Sequence, residues 1–300
     1  MRFGKKLFAA MMAAALVGAA AAGCSSPAGS ESTAASPAPQ TTSAEETAKP
    51  EETGRAAAET AADEPLDLYV FIAASLKNTM EKIKESYETS HPDVNIIYNA
   101  DSSGTLQTQI EEGARCDIFF SAATKQMDAL SEGGYVIDGS VTSLLENKIV
   151  LIKPAGGETA VTGFDTVTEA SSLALAGEDV PVGQYARKLF TNMGILDQVM
   201  AMEINEGPNV TAVLTAVAEG SNEVGIVYAT DAASMADQVE ILAEAGPEMV
   251  DPAVYPVGLI LDKEATEAQA EAAAEFKDYL VKDEGVKKLF TEAGFKVYEE

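Results

Sequence analysis

From Leu66 to the C-terminus the chain alternates short apolar runs with stretches of helical period, a pattern that few architectures accept. The apolar runs at 68–72, 94–98, 116–120, 148–152, 224–228 and 255–261 read as strands. Segments 104–113, 123–132, 183–193, 210–219, 264–281 and 284–293 read as helices. After the first strand, Leu76, Met80, Ile83 and Tyr87 recur at spacings of four, three and four, which puts them on one helical stripe. Ser75, just ahead of that stripe, stands where an N-cap belongs. Such alternation predicts an α/β chain with mostly parallel sheets covered on both faces. In these sheets ligands sit beyond the carboxyl ends of the strands, where the helices begin.

The junctions share one grammar of strand, then small or polar residues, then helix. It is written as FIAASL, IIYNADSSGTL, VPVGQYA and GPNVTAVL. Small side chains let a ligand reach the backbone, and the unpaired N–H groups of a helix's first turn then face it at the positive end of the dipole. Each junction alone is an ordinary helix start. Four in one chain point to an anion site if they converge, which spacing alone does not establish.

The bulk properties narrow the partners. A formal charge of −28 argues against nucleic acid, which needs clustered Lys and Arg, and against electrostatic docking on anionic lipid. A hydrophobic content of 46% is enough to bury a core. Catalytic patterns are missing: the chain has one histidine, His91, in a turn-like SHPDVN. It carries no G-x-S-x-G, S-x-x-K, G-x-x-x-x-G-K or strand-borne dinucleotide glycine pattern. Enzyme chemistry is therefore not expected, and neither is a cofactor. Cys116, in the apolar RCDIFF, reads as a small buried hydrophobe.

The N-terminus reads as an export leader. MRFGKK is basic, and LFAAMMAAALVGAAAA supplies an apolar segment of leader length over residues 1–23. The run ends in AAGCSS, which resembles a lipobox and would make Cys24 the lipidated first residue; Ala21 stands where that pattern prefers Leu. Ordinary cleavage leaving a free thiol is the other reading. Residues 24–65 are Ser, Thr, Ala, Pro, Gly and Glu with little to bury, the composition of a flexible acidic tether. This layout places the body outside the cytoplasm, held to the cell membrane by lipid.

Four segments in order, VFIAASL, ADSSGTLQTQIEEGARCDIFFSA, VPVGQYA and EVGIVYATDA, resemble the periplasmic molybdate-binding proteins of ABC importers, over essentially all of 66–300. The resemblance implies a type II periplasmic-binding-protein fold: two α/β lobes joined by a two-strand hinge, with an oxyanion in the cleft. It puts lobe 1 at 66–148 plus 257–300 and lobe 2 at 153–252, with KIVLIK and YPVGL as the crossings. It also implies five ligand contacts. Ser75 and Ser103 would donate from hydroxyl and backbone, Val182 and Val210 from backbone N–H, and Tyr228 from its phenol. The implied ligand is molybdate or tungstate, bound as an oxyanion with no direct metal ligand, and the implied partner is an ABC transporter permease, with the receptor a monomer. Sulfate or another tetrahedral oxyanion is the alternative ligand, and a purely adhesive lipoprotein or a secreted hydrolase are readings of other classes. Two positions depart from the family: Val182, where Ala is common, and Asp101, an acid where small neutral residues are usual.

Overall fold

A computed structural model describes residues 65–299. The leader 1–23, Cys24 and the tether up to residue 64 lie outside the described residues. The elements up to the first crossing are β1 (Leu66–Ala73), α1 (Lys77–Ser90), β2 (Val94–Asp101), α2 (Ser103–Glu111), β3 (Ile118–Phe120), α3 (Thr124–Glu132) and β4 (Thr142–Asn147). Then come β5 (Ile149–Pro154), β6 (Leu173–Ala176), α4 (Pro181–Asn192), α5 (Leu196–Val199), β7 (Ile204–Gly207), α6 (Val210–Ala218), β8 (Val224–Tyr228), α7 (Ala229–Ser234) and β9 (Val239–Glu244). The chain closes with β10 (Ala253–Leu259), α8 (Glu267–Lys282), α9 (Glu284–Glu292) and β11 (Lys296–Val297).

These strands form two sheets, one per lobe. The first has the order β11-β4-β10-β3-β1-β2 and the second β7-β6-β8-β5-β9. The chain leaves the first sheet between Asn147 and Ile149 and returns between Glu244 and Ala253. The two segments expected to straddle the lobes each lie within one sheet: KIVLIK supplies β5 of the second, and YPVGL is the body of β10 in the first. The changes of lobe happen at the ends of strands because ladder pairing holds each strand whole; Ile149 is already opposite Tyr228.

The sheets are mixed, where mostly parallel ones were expected. β1 runs parallel to β2 and β3, and β6 parallel to β7 and β8. The antiparallel pairs all involve β4, β5 or β10, the strands that flank the crossings. Of these, β5 and β10 arrive from the neighbouring lobe without a crossover helix in their own sheet, and both pair antiparallel.

The predicted stripe of α1 is the buried one: Leu76, Met80 and Ile83 are fully buried and Tyr87 nearly so. It packs with Phe276 of α8 and the rest of the main core, while Phe71, Leu106, Ile110, Phe119, Met127 and Leu130 form a second cluster under α2 and α3. The sheet of the first lobe is thus covered on both faces. Burying a residue such as Leu or Phe contributes ~1.5–3 kcal/mol, so these clusters dominate lobe stability. His91 closes α1 and stacks on Tyr87 with ring centroids 4.0 Å apart, as a surface turn residue would. Cys116 is buried, and burial pushes its thiol pKa up, in keeping with an inert small hydrophobe.

Candidate functional site

The FIAASL corner is built differently from its sequence reading. β1 ends at Ala73, and a single 3-10 turn, Ala74–Leu76, leads straight into α1. Ser75 lies inside that turn and caps nothing, because neither helical start there has a side-chain cap. Its Oγ lies instead 3.0 Å from the Tyr255 phenol oxygen. Turned toward that phenol, the Oγ takes no helix N–H among the described residues.

At the second corner the cap is Ser102, whose Oγ accepts from Thr105 N–H at 3.1 Å. Ser103, the first residue of α2, is fully buried, and its Oγ accepts the Ala122 N–H at 2.9 Å. That bond fills one lone pair and leaves the Ser103 proton free to donate elsewhere.

The second lobe brings two helix starts to the same place. α4 begins with Pro181 at N1, has Val180 as an uncapped N-cap, and leaves the Val182 N–H without an acceptor among the described residues. Gly183 serves the packing: a Cβ there would lie 2.2 Å from the Gly177 carbonyl oxygen and 2.4 Å from that of Ala176. Its smallness thus seats the helix on the end of β6. α6 is capped by Asn209, whose Oδ1 accepts from Ala212 N–H at 3.0 Å, and the Val210 N–H likewise has no acceptor among the described residues.

Tyr228 ends β8, is nearly fully buried, and its phenol oxygen has no hydrogen-bond partner among the described residues. Burial first, and its neighbour Tyr255 next, push the pKa of this phenol well up, so it stays a neutral donor. A buried hydroxyl without a partner costs ~1–3 kcal/mol, which a fold keeps only where something else satisfies it.

Ser75, Ser103, Val182, Val210 and Tyr228 all line one narrow cleft between the lobes, together with Ala73, Ala74, Ala122 and Asp101. No Lys, Arg or His is among the lining residues. What converges is a set of neutral donors at helix starts, the arrangement that stabilises an anion by dipoles. Among the described residues no group of three His, Cys, Asp or Glu is placed to hold a metal ion.

Several members of this region escape sequence reading. Tyr255 sits at a β-bulge, where the β10–β4 register shifts between Tyr255 and Pro256. The adjoining proline lacks an N–H for the ladder, and the bulge turns the tyrosine ring inward. The Tyr-Pro pair inside an apolar run was the one available signal. Asp101 is explained too: its Oδ1 accepts from Ser102 N–H at 2.7 Å and from Asn209 Nδ2 at 3.0 Å. The carboxylate ties the first lobe to the N-cap of α6 in the second.

Residues 68–296 match the family described as bacterial extracellular solute-binding protein. Among curated relatives, "Putative ABC transporter substrate-binding lipoprotein YvgL" of Bacillus subtilis is 36% identical over 239 residues, 79% of this chain and 89% of the relative. Molybdate-binding protein ModA of Haemophilus influenzae is 32% identical over 234 residues, 75% of this chain and 88% of the relative. Among solved structures, the periplasmic molybdate-binding protein of Azotobacter vinelandii superposes with a TM-score of 0.65 at 22% identity, over 77% of this chain and all of that one.

Proposed function

This chain belongs to the bacterial extracellular solute-binding proteins, and on that basis we propose that it captures molybdate or tungstate and hands it to an ABC importer permease. Membership makes it a two-lobed binding protein of the type II periplasmic fold, working outside the cytoplasm, and not an enzyme. The observation that carries the ligand proposal is the unpartnered, buried Tyr228 phenol facing the same cleft as two hydroxyls and two free helix N–H groups. Ser75, Ser103 and Tyr228 supply O–H donors, and Val182 and Val210 supply N–H donors, to a tetrahedral dianion. The donors favour an oxyanion that carries no proton at neutral pH, because the O–H of phosphate needs an acceptor, and the one carboxylate lining the cleft, Asp101, already accepts from Ser102 N–H and Asn209 Nδ2. Sulfate meets the charge requirement but is smaller, so its oxygens reach fewer of the donors. The molybdate-binding relative supports the choice of the larger ion.

The lipoprotein relative and the AAGCSS stretch support anchoring through Cys24, with residues 24–65 as the tether. No helix among the described residues is long and apolar enough to cross a membrane. The test is calorimetry of the purified protein with molybdate, tungstate, sulfate and phosphate. Binding heat is expected for the first two; heat for sulfate or phosphate and none for molybdate overturns the proposal.

A further inference from the structure

Asp231 stands in the first turn of α7, which follows directly on Tyr228, and it is only 6% exposed. Its Oδ2 has no hydrogen-bond partner among the described residues. The groove it lines is walled by both lobes, with Lys77, Lys82 and Phe295 on one side and Thr211, Thr230 and Ser234 on the other. Ala74 and Ser75 line this groove and the oxyanion cleft alike, so the two spaces share a wall. No neighbouring element supplies Asp231 with a counter-charge. Lys77 and Lys82 of α1 edge the groove with exposed side chains, and Glu292 of α9 lies 3.6 Å from Lys288. On β5 and β9, Lys148 pairs with Glu244 and Lys153 with Glu240. From α6 come Thr211 and Leu214, which carry no charge. The titratable groups that face Asp231 are phenols: a charge on Asp231 pushes the pKa values of Tyr228 and Tyr255 up, and Tyr185 of α4 acts on the same pair.

We propose that Asp231 links capture to a proton: the receptor takes one up there as it closes on the anion, and binds more weakly where that carboxyl must stay ionised. The inference rests on the oxyanion reading of the cleft given above. Two effects act in the same direction. A dianion held at the Tyr228 phenol and a carboxylate in the helical turn that follows are like charges in a space closed to water, where repulsion is felt most strongly. Closing the lobes also covers the groove and strips the carboxylate of hydration that nothing in the protein replaces. In the closed arrangement burial already brings the pKa from 3.8 up to about 7, against the smaller pull of the Tyr228 and Asp231 backbone N–H groups, and the charge of the anion raises it further. The loaded receptor therefore keeps its proton at neutral pH, while an opened one, with water in the groove, releases it. A group harder to ionise in the loaded state takes up a proton on binding, so affinity falls as pH rises.

The experiment is calorimetry of molybdate binding to the whole protein at about pH 7.5, in two buffers of different ionisation heat, with affinities also measured about one pH unit to either side. Wild type is expected to show a buffer-dependent heat that corresponds to uptake of up to about one proton, and an affinity ~10–100-fold lower at the upper pH than at the lower. Asp231→Asn keeps the shape and stays neutral throughout. It should lose the buffer dependence, bind with little change across the range, and exceed wild type at the upper pH. Asp231→Ser also removes the carboxyl and gives the same readout if the asparagine variant folds poorly. A wild-type protein that binds no molybdate refutes the reading of the site. A wild-type protein that binds it without buffer-dependent heat, or with an uptake that persists in the variants, refutes the role of Asp231 alone.

Discussion

Gly104, in the first turn of α2, touches the opposite lobe. A Cβ built on it would stand 2.1 Å from the Asp179 carbonyl oxygen, 2.9 Å from the carbonyl carbon and 3.2 Å from the Asp179 Cβ. Those nearest neighbours all belong to the loop that leads into α4, so Gly104→Ala confronts closure and leaves its own lobe undisturbed. To relieve the contact, the Asp179 loop or the whole second lobe must retreat by about an ångström. A retreat of that size carries hydrogen bonds of about 2.9 Å beyond useful length. The proposed donors at stake are the Val182 and Val210 N–H groups and the Tyr228 hydroxyl, each worth ~1.5–3 kcal/mol toward a charged acceptor. Local give in the loop spares part of that, and a net loss of about 3 kcal/mol, or ~100-fold in affinity, is the expected outcome. Helix propensity favours alanine by up to ~1 kcal/mol, but the same retreat strains the Asp101–Asn209 bond between the lobes, worth ~1.5–3 kcal/mol, so the unliganded variant should melt no higher than wild type. Calorimetry with molybdate and a thermal melt of the unliganded variant check both. A variant that binds within threefold of wild type would refute the claim that this contact limits closure.

Two further outcomes follow from the buried polar groups. Tyr228→Phe should cut molybdate affinity by ~10–100-fold while leaving the unliganded melting point equal or higher, because the hydroxyl it removes has no partner in the described residues; a lower melting point would show that the phenol is structurally engaged. Asp231, in α7, is buried with one carboxylate oxygen unpartnered, and burial pushes its pKa from 3.8 up to about 7. The folded chain therefore keeps a proton that the unfolded chain gives up, and this stabilising contribution is full below about 4 and lost as pH rises to about 7. The unfolding free energy of Asp231→Asn, measured by urea titration relative to wild type, should grow across that window and level off above it. A flat difference would overturn the assignment.

What could be read from the chain followed the range of the signal. The stripe of α1 and the run VGIVY, which is β8 residue for residue, depend on local periodicity and were legible. LALA and INEG, which form β6 and β7, are four residues each, the one rich in alanine and the other nearly devoid of apolar residues, and neither shows an alternation to count. The strands TSLLEN and VEILAE were likewise unread, since sheet neighbours far along the chain supply their burial. At the cleft, the corner residues were nameable because small-residue punctuation before a helix is local. Ser75 was placed at the corner, but the helix cap expected of it there gives way to the contact with Tyr255. Its bond to Tyr255 spans 180 residues of sequence, and the Asp101–Asn209 bond spans 108. The first is settled by β10 returning to the sheet that holds β1 and the second by the two lobes meeting, and no local pattern encodes either.

The Asp101–Asn209 bond joins two protein groups and needs no third body to form. A hydrogen bond to a charged group is worth ~1.5–3 kcal/mol, enough to enrich the closed arrangement of a vacant receptor by ~10–100-fold over a chain without it. The captured ion then has less conformational work to do, and capture gains in affinity what the bond contributes to closing. The same bond makes lobe closure an imperfect token of cargo. A permease that sensed lobe shape alone would be engaged by vacant receptors as well as loaded ones. Where two protein groups already favour closing, shape and occupancy become separable, and the carboxylate that looks misplaced beside an anion is the group that would separate them.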